Sequence, residues 1–184
     1  MRTFLAINLS QAVKEHLWQF SVKLQKIYAR QNIAWVRQEN FHITVEFLGE
    51  LGAEEVKIAK AAVGKIIDKF KGREIVIELN QYTALPAEKN PRALVVGGKS
   101  SSSFKAYDLI KNIHDALTNK GFELDNKKWT SHVTLGRVKD WGARLKFDGL
   151  EFTPVNVKVE SVDLMKSELR PEGSVYTKLN SYPL

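Results

Sequence analysis

Phe41-His42-Ile43-Thr44-Val45-Glu46-Phe47-Leu48 and Ser131-His132-Val133-Thr134-Leu135-Gly136-Arg137-Val138 place two of the chain's four histidines in one frame, His-aliphatic-Thr-aliphatic. Side chains on a β-strand alternate between faces, so each histidine shares a face with the threonine two places on. Ile43, Val45, Val133 and Leu135 share the other. Each frame reads as a strand, over 41–48 and 131–138, anchored by aliphatics and presenting an imidazole and a hydroxyl on its open face. A single such histidine has a structural role as its default reading. Two copies, on strands facing each other, would bring both imidazoles to one cleft.

The flanking sequence supplies the scaffold. Residues 2–9 read as a strand and Ser10 as the cap of an amphipathic helix, with Val13, Leu17, Phe20, Leu24 and Ile27 recurring at helical spacing to about Tyr28. Beyond the turn at 49–52, Val56, Ile58, Ala59, Ala62, Val63, Ile66, Ile67 and Phe70 mark a second helix. Residues 74–79 and 92–96 read as strands, and Pro86 with Asn90-Pro91 as a loop between them. A third helix is expected over 104–119, ended by Gly121, and strands near 151–153, 155–165 and 175–179. Strand, helix, histidine strand thus occurs twice, an approximate internal duplication. It implies one α+β domain over 1–184, with two pseudo-symmetric lobes, antiparallel sheets facing a central cleft and helices on the outer faces.

Composition narrows the chemistry. The chain has no cysteine, which removes disulfides, thiolate nucleophiles and thiolate metal sites. The net charge of +7 favours a polyanionic partner. Lys127, Lys128, Arg137, Lys139, Arg144 and Lys146 outnumber the acids around the second frame and point to a phosphate ligand. No segment approaches a membrane span, and the apolar opening from Phe4 to Leu9 is too short for a signal peptide, so a cytoplasmic protein is expected.

A histidine pair suits concerted acid–base work, because imidazole titrates near neutrality and can hold either proton state. One ring takes a proton from a nucleophile while the other gives one to a leaving oxygen, and the threonine hydroxyls can donate to the anion between them. Two other readings need weighing. Glu46 shares a face with His42 by parity, which would allow a His-His-Glu metal site. Gly97-Gly98-Lys99-Ser100 resembles the end of a phosphate-binding loop, but Ala93 stands where that motif needs a glycine. His16 and His114 lie within helices and read as structural, and Tyr28, Trp35, Trp129 and Trp141 are as readily core as base-stacking residues.

The two frames, with Arg2-Thr3-Phe4-Leu5-Ala6-Ile7, Trp35-Val36-Arg37 and Phe47-Leu48-Gly49-Glu50, resemble the two-histidine phosphoesterase superfamily, and most closely the RNA 2',3'-cyclic phosphodiesterases, also called 2'-5' RNA ligases. The resemblance implies opening of a terminal 2',3'-cyclic phosphate on RNA, tRNA fragments included, to a 2'-phosphate, by a monomer using no metal, cofactor or ATP. By position, His42 resembles the proton donor and His132 the proton acceptor; Thr44, Thr134 and Arg137 resemble the phosphate-binding residues. A 2'-5' ligation is implied as a second activity. Arg137 lies five residues after His132 and should face away in a regular strand, unless Gly136 marks a bulge that turns it back. A binding module with the same cleft and no catalytic duty is the rival reading.

Overall fold

The computed structural model describes residues 1–98, 104–140, 142–171 and 173–184. Its elements run β1 (Arg2–Asn8), α1 (Gln11–Ile27), β2 (Ile33–Trp35), β3 (His42–Glu50), α2 (Ala53–Phe70), β4 (Val76–Leu79), β5 (Gln81–Ala87), β6 (Asn90–Gly97), α3 (Phe104–Thr118), β7 (His132–Val138), β8 (Val155–Lys158), β9 (Ser161–Arg170) and β10 (Gly173–Pro183). The α+β class, the antiparallel sheets and the three helices follow the sequence reading.

Two half-sheets, β10-β9-β1-β3 and β7-β6-β5, make up most of the fold. They join at a single residue pair, Ile43 with Val133, beyond which β2 takes over the edge of β7. The histidine strands are therefore neighbours along that seam. Ile43 and Val133 have no exposed surface and lie in the core. Burying such side chains contributes about 1.5–3 kcal/mol each, so aliphatic packing pins the seam from below.

The duplication is visible in the register. Asn8 pairs with His42 and Ala6 with Thr44, then the ladder slips by one residue before Leu5 meets Glu46 and Phe4 meets Phe47. In the other half Gly97 pairs with His132 and Val95 with Thr134, then the ladder slips before Leu94 meets Gly136 and Ala93 meets Arg137. β1-α1-β3 and β6-α3-β7 are thus the same unit, bulged at the same step. Phe20 of α1 packs on Tyr82 of β5 and on Phe152, while α3 packs on β3, β4 and α2.

Three elements differ from expectation. Residues 81–87 form strand β5 rather than a loop; β5 lies at the end of the sheet path, and Pro86 sits at its ladder irregularity, where a missing N–H is tolerated. The stretch 155–165 divides into β8, which pairs with β4, and β9, which pairs with β1 and β10. Residues 151–153 are not a strand; Phe152 is buried against Phe20 and His16.

Candidate active site

The antiparallel register around Ile43 and Val133 sets His42 beside Thr134 and Thr44 beside His132. All four side chains leave the sheet on the face opposite the aliphatic core. His42 Nδ1 lies 2.7 Å from the Asn40 carbonyl and His132 Nδ1 lies 2.9 Å from the Thr130 carbonyl. A carbonyl only accepts, so each Nδ1 carries its proton and donates. Both rings are thereby fixed in one tautomer with Nε2 available for proton exchange. His42 Nε2 is 3.2 Å from Thr44 Oγ1, within hydrogen-bond reach of that hydroxyl.

The two environments differ. His42 is wedged between Phe4, at 5.1 Å between ring centres, and Tyr176, edge-on at 5.3 Å. Burial pushes its pKa below the ordinary histidine value, the Asn40 hydrogen bond opposes this, and the positive charges of Lys14, His132 and Arg137 add to the depression. Lys14 enters from α1 and donates to the Glu39 carbonyl at 2.7 Å. Its own pKa is lowered, chiefly by burial and against the pull of Glu39.

The bulges decide which side chains reach this face. In β7 the slip at Leu135–Gly136 returns Arg137, which is exposed, to the face of His132 and Thr134, as the glycine suggested. A Cβ on Gly136 would lie 2.8 Å from Ile33 Cγ2 and 3.0 Å from Trp35 Cε3, so β2 closes over a position with no room for a side chain. In β3 the matching slip corrects the parity reading of Glu46. Val45 and Glu46 both turn to the helix side, where Glu46 meets His114 of α3 at 2.7 Å. The His-His-Glu metal arrangement is therefore not assembled, and among the described residues no group of three or more His, Cys, Asp or Glu could hold a metal ion. Phe47, 59% exposed, takes the position equivalent to Arg137.

Other sequence candidates take structural places. His16 hydrogen-bonds the Thr153 carbonyl; Tyr28 is buried and donates to the Lys146 carbonyl; Trp35 packs on the core; Trp129 donates to the Thr44 carbonyl at 2.9 Å. Trp141, Lys99 and Ser100 lie outside the described residues. Gly98 has its own reason to be glycine, since a Cβ there would run into the Glu78 carbonyl and lie 2.6 Å from Ser131 Oγ. Arg144 and Lys146 line a separate shallow groove with Glu88, Lys89 and Asp148, so the basic excess does not all gather at the histidines. No helix among the described residues is long and apolar enough to cross a membrane.

Residues 7–95 match the family model described as LigT like Phosphoesterase. An Aeropyrum pernix protein named RNA 2',3'-cyclic phosphodiesterase is 32% identical over 153 residues, covering 78% of this chain and 82% of its own. The chain belongs to the RNA 2',3'-cyclic phosphodiesterase family. A Methanocaldococcus jannaschii protein of the same name is 29% identical over 190 residues, covering 99% of this chain and all of its own. Among solved structures, that of E. coli LigT complexed with 3'-AMP superposes with a TM-score of 0.80 at 20% identity, covering all of this chain and 97% of that one, a likeness of fold. Within this RNA 2',3'-cyclic phosphodiesterase family member, the residues that sequence reasoning passed over are Lys14, Phe4, Asn8 and Tyr176. Phe4, Asn8 and Tyr176 are brought there by the order of the strands, and Lys14 by the packing of α1 beside the segment before β3.

Proposed function

We propose that the chain opens terminal 2',3'-cyclic phosphates on RNA to 2'-phosphates, with His42 and His132 as acid and base. The observation that carries this is the quartet of His42, Thr44, His132 and Thr134 on one face, with Arg137 returned to that face by its bulge. His132 Nε2 takes a proton from water as its oxygen attacks phosphorus. The bond from phosphorus to O3' breaks, and His42 Nε2 gives its proton to O3'. The two threonine hydroxyls and the Arg137 guanidinium hold the phosphoryl oxygens as charge grows on them. The depressed pKa of His42 makes substrate binding part of its protonation, because an anion at Nε2 offsets the cost of charging a buried ring. With an RNA 5'-hydroxyl in place of water, the same transfers join two ends through a 2'-5' linkage, and tRNA fragments are one substrate of that kind.

The test is an RNA with a terminal cyclic phosphate, incubated with the protein in EDTA without ATP. The 2'-phosphate product is expected, with loss of roughly 10²–10⁴ in turnover for His42→Ala and for His132→Ala. Unchanged turnover in either variant sinks the assignment. Tight binding by wild type with the ring left intact would favour the binding module, and abolition by EDTA would favour a metal mechanism.

A further inference from the structure

The seam between the two histidine strands is thin for a site that must hold two rings at one spacing. β3 and β7 share a single residue pair, Ile43 with Val133. On one side of that pair β2 covers the edge of β7, and the Val36 N–H donates to the Leu135 carbonyl at 2.9 Å. On the other side the chain leading into β7, residues 119–131, forms neither helix nor strand.

Trp129 closes that second side. Its indole N–H donates to the Thr44 carbonyl at 2.9 Å, and its ring packs, partly buried, on the hydrophobic core. Both ends of this contact lie one step from the reacting groups. Thr130, the next residue, supplies the carbonyl 2.9 Å from His132 Nδ1, and Thr44 carries the hydroxyl 3.2 Å from His42 Nε2. Ser131 accepts from the Gly98 N–H at 3.0 Å and ties the same segment to its own half-sheet, whereas Trp129 ties it across to the other half. The first frame is steadied from outside. Lys14 of α1 donates to the Glu39 carbonyl at 2.7 Å, and Asn40 Nδ2 donates to the Ser174 carbonyl of β10 at 2.8 Å. Glu39 stands three residues before His42 where Trp129 stands three before His132, so the duplicated unit carries the indole in one copy alone.

We propose that Trp129 is a positioning residue, whose N–H sets the spacing between Thr44 and His42 on one strand and His132 on the other. In this role the indole touches no reacting atom. In-line transfer needs acid and base placed across one phosphorus, and a misplacement of about 1 Å costs on the order of a hundredfold in rate. A main-chain carbonyl is an effective point of hold, because the Thr44 Cα and its hydroxyl move with it. The threonine that must turn to the phosphoryl oxygens is thereby held by the loop that delivers the opposing histidine.

The inference rests on the proposed ring opening, and the experiment separates the two. Trp129→Phe keeps a ring on the core and removes the N–H, while Trp129→Leu removes both. Each is assayed for kcat and KM on cytidine 2',3'-cyclic monophosphate, for Tm, and by NMR for the imidazole signals of His42 and His132. Both variants are expected to lose about tenfold or more in kcat with KM nearly unchanged, the pattern of a contact that matters in the transition state. Trp129→Leu should lose more Tm than Trp129→Phe, which should still displace the His132 signals. Wild-type kcat in Trp129→Phe would overturn the proposal and leave Trp129 as packing. A raised KM with unchanged kcat would overturn it too, since that marks a direct substrate contact. If wild type opens no ring, the ring-opening reading fails and the NMR decides the clamp alone: displaced His132 signals in Trp129→Phe support it and unmoved ones refute it.

Discussion

Gly136→Ala should perturb the fold and, through Arg137, the proposed phosphate grip by one methyl group. The added Cβ would sit 2.8 Å from Ile33 Cγ2 and 3.0 Å from Trp35 Cε3, neither of them the loose end of a flexible chain. Both belong to β2, which pairs with β7 through Ile33 with Val138, Ala34 with Arg137 and Trp35 with Gly136. Relief therefore requires moving a strand or straightening the bulge. Overpacking of this kind costs about 1–3 kcal/mol, which for a chain of this size lowers Tm by roughly 2–12 °C. A straightened ladder also turns Arg137 off the catalytic face, removing a charge-assisted hydrogen bond worth about 1.5–3 kcal/mol, or roughly tenfold to a hundredfold in kcat/KM. The assay is thermal unfolding together with kcat/KM on a cyclic mononucleotide, for Gly136→Ala, Arg137→Ala and the double variant. The double variant should lose no more activity than Arg137→Ala, because the glycine acts through the arginine. Wild-type Tm and wild-type kcat/KM in Gly136→Ala, or losses that multiply in the double variant, would refute this account.

The remaining predictions concern protonation, packing and the pair behind β3. The folded pKa of His42 lies below its unfolded value, so the unfolded chain accepts a proton that the native state resists; stability is unaffected above the unfolded value near ~6.5 and falls as pH drops below it. Wild type should therefore lose more Tm between neutral and mildly acidic pH than His42→Asn, and a smaller loss in wild type would contradict the depressed value. Lys14→Met removes a neighbouring positive charge and should move the His42 NMR titration upward; no movement would take Lys14 out of the site. Gly98→Ala drives a Cβ into the Glu78 carbonyl and should destabilise the chain by several °C, read by thermal unfolding. Glu46→Gln weakens the pair with His114 beneath β3 and should lower Tm in thermal unfolding; an unchanged Tm would show that the pair adds nothing to stability.

Periodicity alone reached far into this fold. The His-x-Thr alternation placed both histidine strands to within two residues, and apolar spacing found α1, α2 and α3. It failed where geometry departs from period two. Nothing in Val45-Glu46 announces a bulge, so parity put Glu46 on the wrong face, whereas Gly136 gave its counterpart away. Pro86 concealed β5 because a proline at an irregular edge and one in a loop look alike in sequence. The surroundings of His42 were illegible for another reason: Phe4, Asn8, Asn40, Met165 and Tyr176 come from four separated segments, and only the order β10-β9-β1-β3 makes them neighbours.

The twin bulges give the molecule a polarity. A strictly twofold arrangement of histidines and threonines would accept its ligand equally well in either of two orientations and waste half of its encounters. Five residues past each histidine the copies part company, one carrying the Phe47 ring and the other the Arg137 guanidinium. An anion attached to a flat, uncharged body then has one end that suits each side, and a single divergent position in a duplicated unit is enough to distinguish head from tail.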